Sequence, residues 1–265
     1  MKTIRETLHD LNSHGRSAFI PYLTAGVPDL QATVEMILGM SRLGVSVVEL
    51  GVPFSDPVAD GPVNMRAMEM ALEKNTSLRD CLEVIRLVRV HKCEIPIIIF
   101  SYLNPVLAMG VPEFAAAAVA AGANGVLLVD LPIEEADEVW DTITGSGLEM
   151  IFLTSPTTAG QRLGLFLRHP PAFLYYVSRL GVTGAQTSLS ATLRAEVENV
   201  RQLTGGQLPI CVGFGISTAA QVKEVAQFAE GVIAGSVLMQ ELIAQPLDCG
   251  PDRFLAKVKE LMAGL

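Results

Sequence analysis

The stretch Arg42–Leu50 reads RLGVSVVEL, and two other stretches of the chain repeat its pattern. Ala121–Val129 reads AGANGVLLV and Ala229–Gly235 reads AEGVIAG, so that in all three a glycine directly precedes a mainly apolar run. Continuous apolar runs are typical of strands in a parallel sheet, because such strands are covered on both faces. The three stretches therefore predict equivalent strand-plus-helix units.

Eight segments in all have this strand character, and segments with helical periodicity separate them. The predicted strands are Ala18–Leu23, Val45–Leu50, Pro96–Phe100, Gly125–Val129, Leu148–Leu153, Phe173–Val177, Pro209–Val212 and Gly231–Ala234. An open doubly wound sheet rarely contains so many consecutive strands. We therefore predict an α/β fold in which residues 1–265 form a single (β/α)8 TIM barrel domain. An extra N-terminal helix would cover its bottom, and a long loop would follow strand 2.

The composition excludes several classes of protein. Half of the 265 residues are hydrophobic, which excludes intrinsic disorder, yet no run reaches the ~18 uninterrupted apolar residues of a membrane-spanning helix. The formal net charge of −9 argues against binding to nucleic acid or to an anionic membrane. The N-terminal residues lack the apolar core of a signal peptide, so we expect a cytoplasmic protein.

The cysteines and histidines do not form a metal-binding pattern. The four cysteines are far apart, and none belongs to a C-x-x-C pair; they are Cys81, Cys93, Cys211 and Cys249. The four histidines are equally scattered. We expect reduced thiols in apolar positions and no metal site.

Glu49 stands near the end of the second predicted strand, among Val and Leu residues. An acid on a strand is ordinarily at a solvent-facing position, but a strand that is covered on both faces offers none. Burial without a partner raises the pKa of a carboxyl group, which suits it to general acid–base catalysis near neutral pH. Active sites of such barrels lie at the C-terminal ends of the strands, where Glu49 is placed.

The segment Gly51–Pro62, which follows Glu49, is far longer than a minimal βα loop. It contains Asp60, which a loop folded over the barrel mouth would bring to Glu49. By itself, Asp60-Gly61-Pro62 would be interpreted as a turn with a helix N-cap and proline at the first helical position. With Glu49 on the preceding strand, we predict that the two acids form a catalytic pair.

Glycine-rich segments follow the last three strands, at Gly181–Gly184, Gly213–Ser217 and Gly235–Val237. Glycine lets backbone N–H groups approach an anion closely, and the helix expected to begin at Ser236 would present its N-terminal amides. A phosphate site after strands seven and eight recurs in this fold. The lysines all fall on helices or near the termini, which argues against a Schiff-base aldolase. The sequence indicates carboxylate chemistry on a phosphorylated substrate, without a cofactor.

Six strings spread over nearly the whole chain resemble the tryptophan synthase α subunit family. They are PYLTAGVPD (21–29), VELGVPFSDPVADGP (48–62), SYLNPV (101–106), YYVSRLGVTGA (175–185), VGFGIS (212–217) and AGSV (234–237). The resemblance implies a (β/α)8 barrel lyase of tryptophan biosynthesis that cleaves indole-3-glycerol phosphate to indole and glyceraldehyde 3-phosphate. It also implies a pyridoxal-phosphate β subunit as partner, in an αββα tetramer, which joins indole to serine.

The resemblance assigns roles to individual residues. Glu49 would protonate C3 of the indole ring and then accept the glycerol hydroxyl proton, while Asp60 would accept a hydrogen bond from the indole N–H. The implied substrate pocket comprises Tyr22, Phe100, Tyr175, Thr183 and Val212. The implied phosphate-binding residues are Gly184, Gly213, Gly235 and Ser236. The positions that would face the β subunit are Pro53, Asp56, Pro57, Asn104, Pro105 and Pro132.

Three alternatives remain open at this stage. Where the family usually has an apolar residue and then Ile-Gln after ADGP, this chain has Val63-Asn64-Met65. That departure motivates a catalytically weak barrel that mainly activates the β subunit. The chain could also be a freestanding lyase that releases indole without a partner. An isomerase or epimerase of a sugar phosphate would share the fold, but the two-carboxylate loop argues against it.

Overall fold

The structure is a computed structural model that describes residues 1–158, 160–177, 192–213, 215–245 and 247–265. Eight parallel strands pair in chain order and close into a barrel, which confirms the predicted fold. The strands are β1 (Ala18–Thr24), β2 (Val48–Gly51), β3 (Ile97–Ser101), β4 (Gly125–Leu128), β5 (Glu149–Thr154), β6 (Leu174–Val177), β7 (Ile210–Gly213) and β8 (Gly231–Ala234). Each of the eight overlaps one predicted strand.

Strand β2 begins at Val48 rather than at the predicted Val45. Before Val48, the side chain of Ser46 replaces a backbone group in the hydrogen bonding to β1. The backbone N–H of Phe19 donates to Oγ of Ser46, and the N–H of Ser46 donates to the carbonyl of Phe19. The parallel ladder between β1 and β2 then aligns Tyr22 with Glu49. The register therefore places an aromatic residue and an acid at the same level of the barrel.

Helices surround the barrel between the strands. They are α1 (Ile4–Ser13), α2 (Leu30–Leu43), α3 (Pro62–Leu72), α4 (Leu78–Val90), α5 (Leu103–Met109), α6 (Val111–Ala121), α7 (Asp137–Gly145), α8 (Gly160–Phe166), α9 (Leu193–Leu203), α10 (Ala219–Val225), α11 (Ser236–Ile243) and α12 (Gly250–Met262). Short 3-10 turns precede α7 and α12. In the part of the chain described, no single helix is long and apolar enough to cross a membrane, although the sharply bent pair α5–α6 meets the length and composition test.

The helix α1 covers the N-terminal end of the barrel, as the sequence predicts. Ile4 and Leu8 on this helix are fully buried. The backbone N–H groups of Ile4 and Arg5 donate to the side chain of Glu149, the first residue of β5, with an Ile4 N to Oε2 distance of 2.6 Å. This contact seals the end of the barrel opposite to the loops that follow the strands.

Candidate active site

A cavity of about 40 Å3 lies at the C-terminal ends of the strands and contains both predicted acids, Glu49 and Asp60. Its other described lining residues are Tyr22, Asn64, Phe100, Tyr175, Gly215, Ile216, Ile233, Gly235 and Ser236. A cavity of this volume holds only a few water molecules.

Glu49 is a buried acid on strand β2. Its side chain is 1% exposed, and neither Oε1 nor Oε2 has a hydrogen-bond partner among the described residues. Burial, which penalises the charged form, raises the pKa of Glu49 to about 8. The carboxyl group is therefore mostly protonated at neutral pH and can act as a proton donor.

Asp60 is also buried, at 8% exposure, but two side chains donate hydrogen bonds to it. The hydroxyl of Tyr102 donates to Oδ2 at 2.7 Å, and Nδ2 of Asn64 donates to Oδ1 at 3.1 Å. Burial raises the pKa of Asp60 above its usual value, and the hydrogen bonds from Tyr102 and Asn64 offset only part of that increase. Because hydrogen bonds to a carboxylate favour its ionised form, the environments separate the two acids into a neutral one and one suited to negative charge.

Asp60 does not cap the helix that follows it. The N-cap of α3 is Gly61, which makes no side-chain hydrogen bond, and Pro62 is the first helical residue. The carboxylate of Asp60 instead points to Tyr102 and Asn64. The alternative interpretation of Asp60-Gly61-Pro62 is right about proline but does not account for the aspartate.

Tyr102 contacts Asp60 and two other residues of the loop after β2, and it is not among the site residues predicted from the sequence. Its hydroxyl accepts a hydrogen bond from the N–H of Ala59 at 3.0 Å, while its ring stacks on Phe54 with centroids 5.0 Å apart. The signal was available, because Tyr102 directly follows β3 within the string SYLNPV. The rule that selected Glu49, a chemically active residue at a strand's C-terminal end, applies equally to Tyr102.

Three aromatic residues of the expected pocket do line the cavity. The rings of Tyr22 and Phe100 meet edge to face with centroids 5.1 Å apart. A methyl group at Gly51 would overlap the phenol of Tyr22, and one at Gly213 would overlap the phenol of Tyr175. These two glycines therefore make room for the tyrosines at the ends of β2 and β7.

The expected phosphate-binding residues are only partly brought together. Gly235 and Ser236 line the cavity, and Ser236 is the first residue of α11, whose N-terminal amides thus face this end of the barrel. Gly213 lies against Tyr175 rather than on the cavity surface that the described residues define. Thr183 and Gly184 lie outside the described residues.

Val212 does not line the cavity, which corrects the expected substrate pocket at this position. Side chains along a strand alternate between the two faces. Gly213 faces the ring of Tyr175, which lines the cavity, so the neighbouring Val212 faces the surrounding helices. It is fully buried there. A resemblance in sequence does not determine the face of a strand on which a side chain lies, whereas the strand register does determine it.

The residues expected to face a partner all lie on loops or helix starts after strands β2, β3 and β4. Asp56 and Asn104 are exposed, and Pro105 and Pro132 are half-buried. Pro53 and Pro57 are buried within the loop after β2. The exposed part of this rim therefore includes Asp56 and Asn104, while the two loop prolines are covered by the chain itself.

A larger cavity of about 650 Å3 lies at the opposite end of the barrel, between α1, α7 and β5. Its polar groups are largely satisfied within the protein. Glu149 accepts from the N-terminus of α1, Glu6 accepts from the N–H of Thr3, and Arg5 donates to the carbonyls of Pro170 and Pro171. The described residues of this cavity include no unpartnered acid, so we do not assign the chemistry to it.

The chain matches known proteins over almost its whole length. The family model described as tryptophan synthase alpha chain matches residues 8–263. A tryptophan synthase alpha chain from Phenylobacterium zucineum is 40% identical over 255 residues, covering 95% of this chain and 91% of the relative. One from Geobacter sulfurreducens is 43% identical over 240 residues, covering 91% and 90%.

Solved structures agree with these relatives. The alpha subunit of tryptophan synthase from Legionella pneumophila superimposes with a TM-score of 0.86 at 37% identity, covering all of both chains. A tryptophan synthase chain from Mycobacterium tuberculosis superimposes with a TM-score of 0.88 at 33% identity, covering 98% of this chain and 97% of that chain.

Proposed function

This chain belongs to the tryptophan synthase alpha chain family, a lyase component of tryptophan biosynthesis, and from that premise we propose how its residues divide the work. The reaction is the cleavage of indole-3-glycerol phosphate to indole and glyceraldehyde 3-phosphate. The observation that carries the assignment is Glu49, a buried acid that has no hydrogen-bond partner among the described residues and shares its cavity with the hydrogen-bonded Asp60.

Glu49 acts first as an acid and then as a base. In its neutral form it gives its proton to C3 of the indole ring, which turns the ring into an electron sink. The resulting carboxylate then takes the proton from the glycerol hydroxyl next to C3. The carbon–carbon bond breaks, its electrons return to the ring, and the hydroxyl-bearing carbon becomes the aldehyde of glyceraldehyde 3-phosphate. Glu49 ends the cycle protonated, so no other proton donor is required.

Asp60 stabilises the positive charge that develops on the indole nitrogen after C3 is protonated. Its carboxylate accepts a hydrogen bond from the indole N–H, and because water is largely excluded, the attraction is stronger than it would be in solution. Tyr102 keeps the carboxylate in place from the side of β3. Thus the acid that carries charge is the one with hydrogen-bond donors, and the acid that carries the proton has none among the described residues.

The substrate would lie between the aromatic rings and the start of α11. Tyr22, Phe100 and Tyr175 contact the indole, and the N-terminal amides of α11 with Gly235 and Ser236 hold the phosphate. We include Thr183, Gly184 and Gly213 in this proposal on the family's pattern alone.

The partner is a tryptophan synthase β subunit, which docks on the rim formed after β2, β3 and β4 in an αββα complex. Asp56, Asn104, Pro105 and Pro132 are the contact residues with accessible surface. The α reaction itself uses no cofactor, since Glu49 and Asp60 supply its acid, base and counter-charge, and pyridoxal phosphate belongs to the β subunit. We assign the chain, one domain over residues 1–265, to the cytoplasm, where its four free cysteines would stay reduced.

The test is a spectrophotometric assay of indole-3-glycerol phosphate cleavage by Glu49→Gln and Asp60→Asn, with and without a β subunit. We expect each variant to lose at least about 100-fold in kcat, because each lacks an acid–base or charge-stabilising group. Glu138→Gln is the matched control, since Glu138 is exposed on α7, and it should retain full activity.

Wild-type turnover in either active-site variant would overturn the corresponding role. A cleavage rate that the β subunit leaves unchanged would favour a freestanding lyase. Stimulation of the β reaction by a wild-type chain that never cleaves substrate would favour the activator. These outcomes separate the catalytic assignment from the partner assignment.

A further inference from the structure

Asn64 is a second donor to Asp60 that comes from a different element than Tyr102. It lies in the first turn of α3, four residues after Asp60, and its Nδ2 is 3.1 Å from Oδ1 of Asp60. Side chains on a helix lean towards its N-terminus, which carries this amide back to the residue before the N-cap. Asn64 also lines the cavity that contains Glu49.

The two hydrogen bonds on Asp60 differ in origin. Tyr102 approaches Oδ2 from the end of β3, and Asn64 approaches Oδ1 from α3. Together they engage both oxygens and restrict rotation of the carboxylate plane. The amide orientation is set by this contact, because the reverse orientation would place the carbonyl oxygen of Asn64 against an oxygen of Asp60.

Of the two polar atoms of the Asn64 amide, only Nδ2 has a hydrogen-bond partner among the described residues. Oδ1 of Asn64 is buried without a hydrogen-bond partner among the described residues. A buried acceptor without a donor is unfavourable, and leucine would fill a similar volume without that cost. A residue that contributed only packing would have no reason to be polar here, so the contact with Asp60 explains asparagine where packing does not.

We propose that Asn64 is a positioning residue for Asp60: its amide holds the carboxylate in a fixed orientation and, as a hydrogen-bond donor, stabilises its negative charge. This inference rests on the proposed role of Asp60 as the acceptor for the indole N–H. The chain departs from the usual family pattern at position 64, and the departure is therefore a functional contact in this chain rather than a loss.

Several other titratable groups surround Asp60. Tyr102 approaches from the end of β3, Glu49 from β2, Tyr22 from β1 and Tyr175 from β6. Burial, with the nearby negative charge of Asp60, raises the pKa of these three phenols, so they remain neutral over the working range. In the described part of the cavity no Lys, Arg or His is a lining residue. Among the described residues, Tyr102 and Asn64 are therefore the side chains that stabilise the negative charge of Asp60.

The test compares the pH dependence of kcat/KM for wild type, Asn64→Leu and Asn64→Ala. Without the Asn64 donor, the acidic limb, which reports ionisation of Asp60, should move up by about one pH unit, as expected for one lost hydrogen bond to a charge. Substrate KM should change less than kcat. Asn64→Asp puts a second carboxyl group beside the first and should move the limb further. Met65→Leu, an exposed change on the same helix, is the control and should leave the limb in place.

A second measurement does not depend on turnover. The carboxyl carbon of Asp60 is followed by 13C NMR during a pH titration of the whole protein, with its resonance assigned by its absence in Asp60→Asn. We expect the same upward shift in Asn64→Leu and Asn64→Ala. Superimposable titrations and acidic limbs in wild type and both variants would overturn the proposal. Full cleavage by Asp60→Asn would instead overturn the proposed role of Asp60, so the two failures are distinguishable.

Discussion

Tyr102 supports the catalytic carboxylate of Asp60 and other parts of the long loop that carries it. One hydroxyl donates to Asp60 and accepts from Ala59, and one ring stacks on Phe54. Three residues of this loop, Phe54, Ala59 and Asp60, therefore contact a single side chain. A change in loop position would alter the donor geometry at Asp60.

Removing only the hydroxyl of Tyr102 separates its hydrogen bond to Asp60 from its stacking on Phe54. Tyr102→Phe keeps the stack on Phe54 but removes the donor to Asp60, and we expect kcat to fall by about tenfold, as for the loss of one hydrogen bond to a charged group. The indole assay measures this change. Tyr176→Phe is the matched control, because the Tyr176 hydroxyl donates to Glu196 on α9 and is not part of the cavity. Equal activity in the two variants would contradict the role of Tyr102.

At the scale of elements, the barrel separates a chemical end from a structural end. The helix α1 closes the structural end, where the Glu149 carboxyl accepts from the N–H groups of Ile4 and Arg5. Burial raises the pKa of Glu149, and these two bonds and Arg5 partly offset the increase. The side chain acts as a helix N-terminal acceptor supplied by β5.

Glu149→Leu should lower the free energy of unfolding by about 1–3 kcal/mol, because the two amide donors at the start of α1 lose their acceptor. Urea unfolding followed by circular dichroism measures the loss, while the cleavage rate of the folded variant should stay at the wild-type value. Glu138→Leu, on exposed surface, should change stability by less than about 0.5 kcal/mol. If Glu149→Leu loses no more stability than Glu138→Leu, burial of Ile4 and Leu8 alone holds α1 in place.

At the scale of the whole molecule, the ionised form of the catalytic acid Glu49 lowers the free energy of unfolding. Folding raises the pKa of Glu49 from 4.5 to about 8, so the folded protein binds its proton more tightly than the unfolded chain does. The stability that this group contributes is complete below pH 4.5 and is lost as the pH rises through about 8. The folded barrel therefore becomes less stable across that range.

Glu49→Gln should abolish this pH dependence, since glutamine stays neutral. The variant should match wild type near pH 4.5 and exceed its free energy of unfolding above pH 8, by at most about 5 kcal/mol. Urea unfolding at a series of pH values measures the difference, with Glu138→Gln as the control that follows wild type. A constant difference between the two curves would contradict a raised pKa at Glu49.

The barrel and the position of Glu49 were determined by the sequence itself, because apolar runs and the acid within one of them are local features of the chain. Short-range periodicity does not predict α3 or α5: the apolar residues of α3 are spread around the helix, and α5 has only seven residues. Tertiary structure alone decided that Tyr102 would meet Asp60 and that Val212 would face away from the cavity, whereas the contact of Asn64 with Asp60 spans only four residues and forms once α3 is helical. Tyr102 is 42 residues from Asp60 along the chain, and the pairing of β2 with β3 brings the ends of these two strands together. The direction of Val212 depends on strand register, where a shift of one residue exchanges the two faces.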